Sequence, residues 1–347
     1  VIKYLGSKRL LLPLIEQALD DVESRHGPCR TALDLFSGTS RVGQCFKRRG
    51  VRVVANDHTA YAHAIAACYI EADVDGAAAV TAAAILNELQ GFEGRPGWFT
   101  QTYAEDARFL QPKNAARVEA IRDHIETRGL DGVTKAIVLT SLMEATDRVD
   151  STVGVQMAYL KGWSKRSEND LALRMPVLLP RAEHGAGRAV CGDAVDVVKA
   201  VCEGENVDVV YLDPPYNQHS YLSNYHLWET LVRWDHPEVY GVAKKRVDCR
   251  ERKSAFNSRR GIVAALEAVV VNARCRALVV SFSNEGAVSH DEMVRILSSR
   301  GPVRVISQVH PRYVGAKIGI YNPSGDKVGA VSHLLNTEYV FVVDVED

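Results

Sequence analysis

No apolar run in the 347-residue sequence approaches the roughly 18 residues that a membrane-spanning helix needs. Val1 to Arg9 has no apolar centre and no small-residue cleavage site, so it does not read as a signal peptide. The seven cysteines, at 29, 45, 68, 191, 202, 249 and 275, are odd in number, scattered, and form no C-x-x-C pair. That argues against a zinc ribbon or a disulfide framework and for free thiols in a reducing compartment. The eleven histidines contain no H-x-x-x-H ligand pair, so no metal site is expected. An excess of one charge is missing too: 42 Lys+Arg against 43 Asp+Glu leave a formal net of -1. Taken alone, that balance argues against a chain that coats nucleic acid along its whole surface.

What is present is an ordinary globular composition, 46% hydrophobic and 24% charged, which excludes a disordered chain. The length suggests two units, or one large domain with an insertion. Helix-like and strand-like stretches alternate, pointing to an α/β sheet. Helical spacing covers Leu10–Leu19, Val42–Arg49, Thr59–Ile70 and the Ala-rich 77–89. Strand-like runs cover Thr31–Phe36, Val51–Ala55, Val207–Leu212, Ala277–Phe282, Val303–Gln308 and Tyr339–Val343, with a short one at Ala189-Val190. Between them the rhythm breaks: Gly91–Gly97 is loop-like, 118–128 and 133–148 read as helices, and Ser151–Gly187 is irregular. These patterns predict an α/β domain in two pieces, 1–90 and 188–347, around an inserted, mainly helical region at 91–187.

Asp34-Leu35-Phe36-Ser37-Gly38-Thr39-Ser40 follows a predicted strand and opens a helix. In doubly wound sheets ligands bind beyond the carboxyl ends of the strands, and small residues there let the backbone come close. Asn56-Asp57 ends the next strand, 23 residues after Asp34, where an acidic side chain can accept from ribose hydroxyls. Ser40 stands where a dinucleotide-binding turn would have its second glycine. A mononucleoside site is therefore favoured over a pyrophosphate cradle.

Val207–Leu212 runs into Asp213-Pro214-Pro215-Tyr216. Two prolines stiffen the loop and remove two backbone donors. The Asp213 carboxylate and the Pro214 carbonyl are acceptors close together, and Tyr216 offers a flat face. Two acceptors beside an aromatic ring suit a planar group carrying NH2, such as a nucleobase amine.

Lys3-Tyr4-Leu5-Gly6-Ser7-Lys8-Arg9, Asp34 to Gly38, Asn56-Asp57, Gly192-Asp193-Ala194 and Asp213 to Tyr216 stand in the order seen in Dam-type (alpha-class) adenine-specific DNA methyltransferases. The chain resembles that family over roughly 1–75 and 188–345. The resemblance implies a Rossmann-like S-adenosylmethionine-dependent methyltransferase fold, a mostly parallel seven-stranded sheet with its last strand reversed. It implies S-adenosyl-L-methionine as methyl donor, double-stranded DNA as substrate, and a cytoplasmic protein of bacterial, archaeal or phage origin. On the same basis it implies either a restriction-modification system with a cognate restriction endonuclease as partner or an orphan methylase. By position, Tyr4 and Lys8 would contact the methionine end of the cofactor, with Asp34 and the backbone near Phe36 and Gly38 lining it. Asp57 would hold the ribose, and Asp193 would lie near the adenine. Asp213, Pro214, Pro215 and Tyr216 would hold the target base, with Ser281-Phe282-Ser283-Asn284 beside it.

Direct transfer to the amine needs no covalent enzyme intermediate. The residues leave other readings open: an RNA adenine, the cytosine amine, a glutamine amide, or a DNA-binding relative without activity.

For DNA, the sequence singles out Lys244–Arg260. Eight basic residues there, Lys244, Lys245, Arg246, Arg250, Arg252, Lys253, Arg259 and Arg260, outnumber two acidic ones, giving +6. Asn257 is interleaved with them. Such a run can neutralise phosphates and reach base edges. A second group, Arg41, Lys47, Arg48, Arg49 and Arg52, reads as a solvated helix face. Arg148, Lys161, Trp163, Lys165 and Arg166 are candidates for target recognition, and Arg312 and Lys317 for backbone contact. The aromatic set Tyr221, Tyr225, His226 and Trp228 reads as core packing or as walls of the target pocket. Setting the +6 run aside leaves -7 on the other 330 residues, so the neutral total conceals a basic segment on an acidic body.

Overall fold

The computed structural model describes residues 2–157, 162–216, 218, 220–311, 320, 321, 327–329 and 335–346. Lys161, Arg312 and Lys317 lie outside the described residues. Seven strands form one sheet: β1 Thr31–Asp34, β2 Arg52–Asp57, β3 Arg188–Cys191, β4 Val207–Leu212, β5 Cys275–Ser283, β6 Val303–Pro311 and β7 Leu335–Asp344. Their order across the sheet is β3-β2-β1-β4-β5-β7-β6. Strands β1 to β5 run parallel, while β7, last in the chain, lies antiparallel between β5 and β6. This is the Rossmann-like methyltransferase sheet that the resemblance implies.

The helices that cover it are α1 Leu12–His26, α2 Arg41–Arg48, α3 Ala60–Ala66, α4 Ala77–Leu89, α5 Pro112–Thr127, α6 Gly132–Arg148, α7 Ala194–Gly204, α8 His226–Arg233, α9 Ile262–Asn272 and α10 His290–Leu297. Central parallel strands are buried on both faces, which is why they read as mainly apolar runs rather than alternating ones. Successive residues still divide between two cores. Ala32, Val53, Val209 and Val279 pack with α1 and α2 on one face. Leu33, Val54, Val210 and Val280 pack with α7, α9 and α10 on the other.

A third core joins α3, α4, α5, α6 and α8. Ala82, Leu86 and Leu89 of α4, assigned by sequence to the α/β part, pack in the same core as Ile137 and Leu142 of α6. An Ala-rich helix gives no sequence signal of which neighbour it joins. The helical layer is also tied to the loop side of the sheet. Arg122 of α5, with 0% of its surface exposed, donates to the carbonyls of Leu231 (2.6 Å) and Val232 (3.0 Å) at the end of α8. A guanidinium there satisfies carbonyls that the helix leaves open.

The second basic group is only partly a solvated face. Lys47 is 3% exposed, and its ammonium donates to the carbonyls of Ile70 and Ala72 and to Asp73. Those acceptors close off the end of the helical turns following α3, so Lys47 is a buried strut. Among the described residues no helix is long and apolar enough to cross a membrane.

Candidate active site

The parallel register places Asp34, the last residue of β1, beside Tyr211 of β4. The turns leaving these two strands therefore flank one crevice, at the point where the strand order reverses. A cleft opens there, between the N-terminal segment 4–8, the turn at 36–39, and the loop 213–216. A second space adjoins it, reaching Gly192 and Asp193 after β3 and Lys253 and Phe256 in the basic run. Phe36, Asp57 and His58 line both.

The turn after β1 explains its own sequence. Gly38 has φ +48, and a Cβ there would sit 3.1 Å from Cε1 of Tyr4. Ser40 also takes a left-handed conformation, φ 54, at the start of α2. That conformation normally disfavours a side chain by about 1–2 kcal/mol, so the missing second glycine leaves the turn intact at some strain. Asp57 ties the turn to β2: Oδ2 accepts from the Gly38 N–H at 3.1 Å, and Oδ1 from the Thr59 N–H and hydroxyl. Asp34 is 1% exposed and its Oδ2 accepts from the Gly43 N–H at 3.0 Å. Burial, reinforced by the nearby Asp213 charge, pushes the Asp34 carboxyl up to about 8. Its Oδ1, the Ser37 and Ser40 hydroxyls and Nε of Arg41 are buried without a partner.

Tyr4 stacks on Tyr221 at 5.1 Å and on Tyr225 at 4.8 Å between ring centres. The Tyr225 hydroxyl accepts from the Leu5 N–H at 2.7 Å, fixing the N-terminal segment over the site. Of the aromatic set after the loop, only Tyr221 lines the cleft; Tyr225, His226 and Trp228 are fully buried.

Asp213 sits at the mouth of β4. Its Oδ1 lies 2.8 Å from the Lys8 ammonium and accepts from the Tyr216 hydroxyl at 3.1 Å. Lys8 also donates to the Tyr216 hydroxyl at 2.6 Å and lies 4.6 Å from the centre of that ring. Burial pushes the Asp213 carboxyl above its ordinary range, against the pull of Lys8 and Tyr216. Behind the loop, Phe282 meets the Tyr216 ring at 4.9 Å, and the Tyr216 carbonyl accepts from the Ala287 N–H. Ser281 is fully buried and accepts from the Tyr211 hydroxyl, while Asn284 pairs with Thr337 of β7. The 281–284 segment therefore supports the loop from beneath. Asp193 caps α7, accepting from the Val195 N–H at 2.9 Å, and lines the second space.

The basic run divides in a way its composition did not reveal. Arg246 is a correction: it is 1% exposed, with its guanidinium forked onto Asp235 (2.6 and 2.7 Å) and Asp248 (3.0 and 3.1 Å), out of reach of a DNA surface. Arg252 is pinned to the buried Glu229 at 2.7 Å and to the His58 carbonyl at 3.0 Å, beside the second space. Lys244 pairs with Asp106 at 2.8 Å. Arg250 lies over the Tyr240 ring at 3.8 Å. Among the described residues Lys245, Arg250, Lys253, Arg259 and Arg260 form no ion pair, and all but Lys245 are exposed. Asn257 is half-buried beside Phe256. In the helical layer Arg148 donates to the Ala172 carbonyl and Arg166 to Asp150, so both brace the irregular segment, whereas Trp163 stays 37% exposed. Sequence reasoning missed Arg41, His58 and Phe256 as cleft residues. Nothing in their local sequence sets them apart.

A sequence profile of the D12 class N6 adenine-specific DNA methyltransferases matches residues 4–293. The chain belongs to that family. The D12 match runs from Tyr4 through the 213–216 loop to α10, so it takes in every cleft residue named above. Among curated relatives, the chain is 30% identical over 308 residues to the modification methylase StsI of Streptococcus sanguinis, covering 85% of this chain and 46% of that protein. It is 29% identical over 314 residues to the type II methyltransferase M.FokI of Planomicrobium okeanokoites, covering 86% and 47%. With the type II methyltransferase M.NlaIII of Neisseria lactamica it shares 27% identity over 345 residues, covering 97% and 99%. The chain thus spans about half the length of StsI and M.FokI but nearly all of M.NlaIII.

Proposed function

We propose that this chain transfers a methyl group from S-adenosyl-L-methionine to the exocyclic amine at the 6-position of adenine in double-stranded DNA. The observation that carries this is the 213–216 loop at the end of β4, facing the 36–40 turn across one crevice. Together they set acceptors for an amine beside a cleft lined by Phe36, Asp57 and Gly38.

The residues present fit the cofactor. The two adjoining spaces share Phe36, Asp57 and His58, and partnerless polar atoms at Asp34, Ser37 and Arg41 line the first of them, donors and acceptors suited to a nucleoside with an amino-acid tail. When bound, the cofactor supplies an electrophilic methyl group on a sulfonium. Asp57, at the junction of the two spaces, is placed for ribose hydroxyls. Phe36 and Phe256, edge to face at 4.9 Å, offer apolar walls for the adenine, with Asp193 at the far end.

On the target side, Asp213 accepts from one N–H of the adenine amine and the Pro214 carbonyl from the other. A carboxylate has lone pairs on both oxygens, so Lys8 and Tyr216 do not exhaust Asp213. Two acceptors drawing on the N–H groups favour a pyramidal nitrogen whose lone pair is localised rather than delocalised into the ring. The stiff proline pair holds both acceptors in place, and much of the rate comes from such positioning. Removing the base from the duplex costs a few kcal/mol, which stacking against Tyr216 offsets. All seven thiols are pushed above their ordinary range by burial, and none lines the cleft, so direct transfer without a thiolate nucleophile is the consistent route.

For the duplex, Lys245, Arg250, Lys253, Arg259 and Arg260 are the cations available to phosphates. Since StsI is named a modification methylase, we further propose that the chain protects DNA beside a cognate restriction endonuclease. The test is incorporation of label from methyl-labelled cofactor into duplex DNA, with single-molecule sequencing to identify the base. Asp213→Ala should lower incorporation by about 100-fold or more while S-adenosylhomocysteine still binds. Full activity in that variant, or label appearing in RNA or on cytosine instead, would overturn the proposal.

A further inference from the structure

Two cations line the first cleft, and the structure treats them differently. Lys8 is 7% exposed and its ammonium is already engaged, 2.8 Å from Asp213 and 2.6 Å from the Tyr216 hydroxyl. It belongs, by contact, to the target-base loop. Arg41, in the first turn of α2, lines the same cleft and makes no hydrogen bond or ion pair with any described residue. Its Nε is shut off from solvent and has no acceptor. Buried donors are nearly always satisfied in folded proteins, so such a group at a cleft wall marks a place where an acceptor arrives from outside. The neighbouring atoms agree: the Ser37 hydroxyl is another buried polar atom without a partner on the same turn. A guanidinium offers a fork that fits a carboxylate with two parallel hydrogen bonds.

We infer that Arg41, rather than Lys8, holds the carboxylate at the amino-acid end of the methyl donor, leaving Lys8 to fix Asp213 and Tyr216 on the target-base side. This rests on the S-adenosylmethionine reading above. With the nucleoside in the second space, between Phe36, Asp57 and Asp193, the amino-acid tail enters the first cleft, where Arg41 is the cation without a partner. The division of labour separates the two sites electrostatically. The cofactor's carboxylate then does not compete with Asp213 for one ammonium, and Asp213 keeps its counter-charge through the reaction.

The test is calorimetric titration of the full chain with two nucleosides: S-adenosylhomocysteine, which carries the amino-acid tail, and 5′-methylthioadenosine, which lacks it. Arg41→Gln should weaken S-adenosylhomocysteine by about 10- to 100-fold, the loss of a charge-assisted pair, and leave 5′-methylthioadenosine within about twofold. Arg41→Lys should recover part of the loss. Lys8→Gln should leave both affinities within about threefold. An equal loss for both nucleosides in Arg41→Gln would mean a general packing role and overturn the inference. So would a loss of S-adenosylhomocysteine in Lys8→Gln as large as in Arg41→Gln. If Arg41→Gln binds S-adenosylhomocysteine normally but shows a shallower salt dependence of DNA binding, Arg41 is a phosphate contact and the inference fails while the cofactor reading stands. Wild-type chain that binds neither nucleoside overturns the cofactor reading itself, and this inference with it.

Discussion

The basic run Lys244–Arg260 separates into struts and free cations, and Arg246→Gln tests that separation most sharply. Arg246 makes hydrogen bonds to both oxygens of Asp235 and of Asp248, and one to the Thr230 hydroxyl at 3.3 Å. Removing one partner of a buried ion pair costs about 3–5 kcal/mol, because the other charge stays behind without compensation. Here the carboxylates keep part of their hydration, with side chains 30% and 24% exposed, and Arg233 remains 3.0 Å from Asp235 and 3.3 Å from Asp248. Screening and the surviving partner reduce the expected loss to about 2–3 kcal/mol. For a chain of this size that is a fall in Tm of about 3–4 °C. The double variant Arg259→Gln, Arg260→Gln changes two exposed side chains and should leave stability within about 0.5 kcal/mol. It should instead lower the slope of log K against log salt for duplex DNA by about 0.9 per lost phosphate contact, up to about 2 in all. Burial pushes Asp235 and Asp248 up, but the Arg246 hydrogen bonds outweigh it and hold both below the ordinary range. Carboxyls with lowered folded pKa values contribute stability above about pH 4 and lose it as pH falls. The stability difference between wild type and Arg246→Gln should therefore shrink on acidification below about pH 4. Thermal melting and DNA titrations at several salt concentrations decide the matter. An Arg246→Gln protein with unchanged Tm and a salt slope lowered by about one would refute the assignment.

Two further outcomes are expected. Asp34, raised to about 8 by burial, carries in the folded state a proton that the unfolded chain releases near pH 4, so its contribution is fully present below that and declines by about 1.4 kcal/mol per pH unit toward pH 8. Urea unfolding of wild type and Asp34→Asn should show the wild type losing ground from pH 6 to 8 and the difference levelling off above 8; parallel curves would contradict it. Gly38→Ala places a methyl group 3.1 Å from the Tyr4 ring in a left-handed backbone costing about 1–2 kcal/mol, and should lower S-adenosylhomocysteine affinity roughly tenfold with a small loss in Tm. Unaltered binding by calorimetry would mean that the cofactor does not lie against this turn.

Much of the architecture was legible in the chain itself. Strand runs such as Val207–Leu212, apolar but for Asp208, and their alternation with helices determine a parallel α/β sheet, because a strand buried on both faces must be largely apolar. The linear motifs at 34–38, 56–57 and 213–216 carry their meaning locally: each is a strand end followed by residues suited to hold a ligand, and backbone constraint is a short-range property. Side-chain partnership is not. The sequence counts Arg246, Arg252 and Lys47 as surface charge, and only folding brings Asp235, Glu229 and the Ile70 carbonyl to them across the chain. The same holds in reverse for Arg41, whose role follows from lacking a partner in a cleft that exists only once β1, β4 and the N-terminal segment converge. Position along the chain determines which atoms are offered. Proximity in the fold decides which of them are already taken.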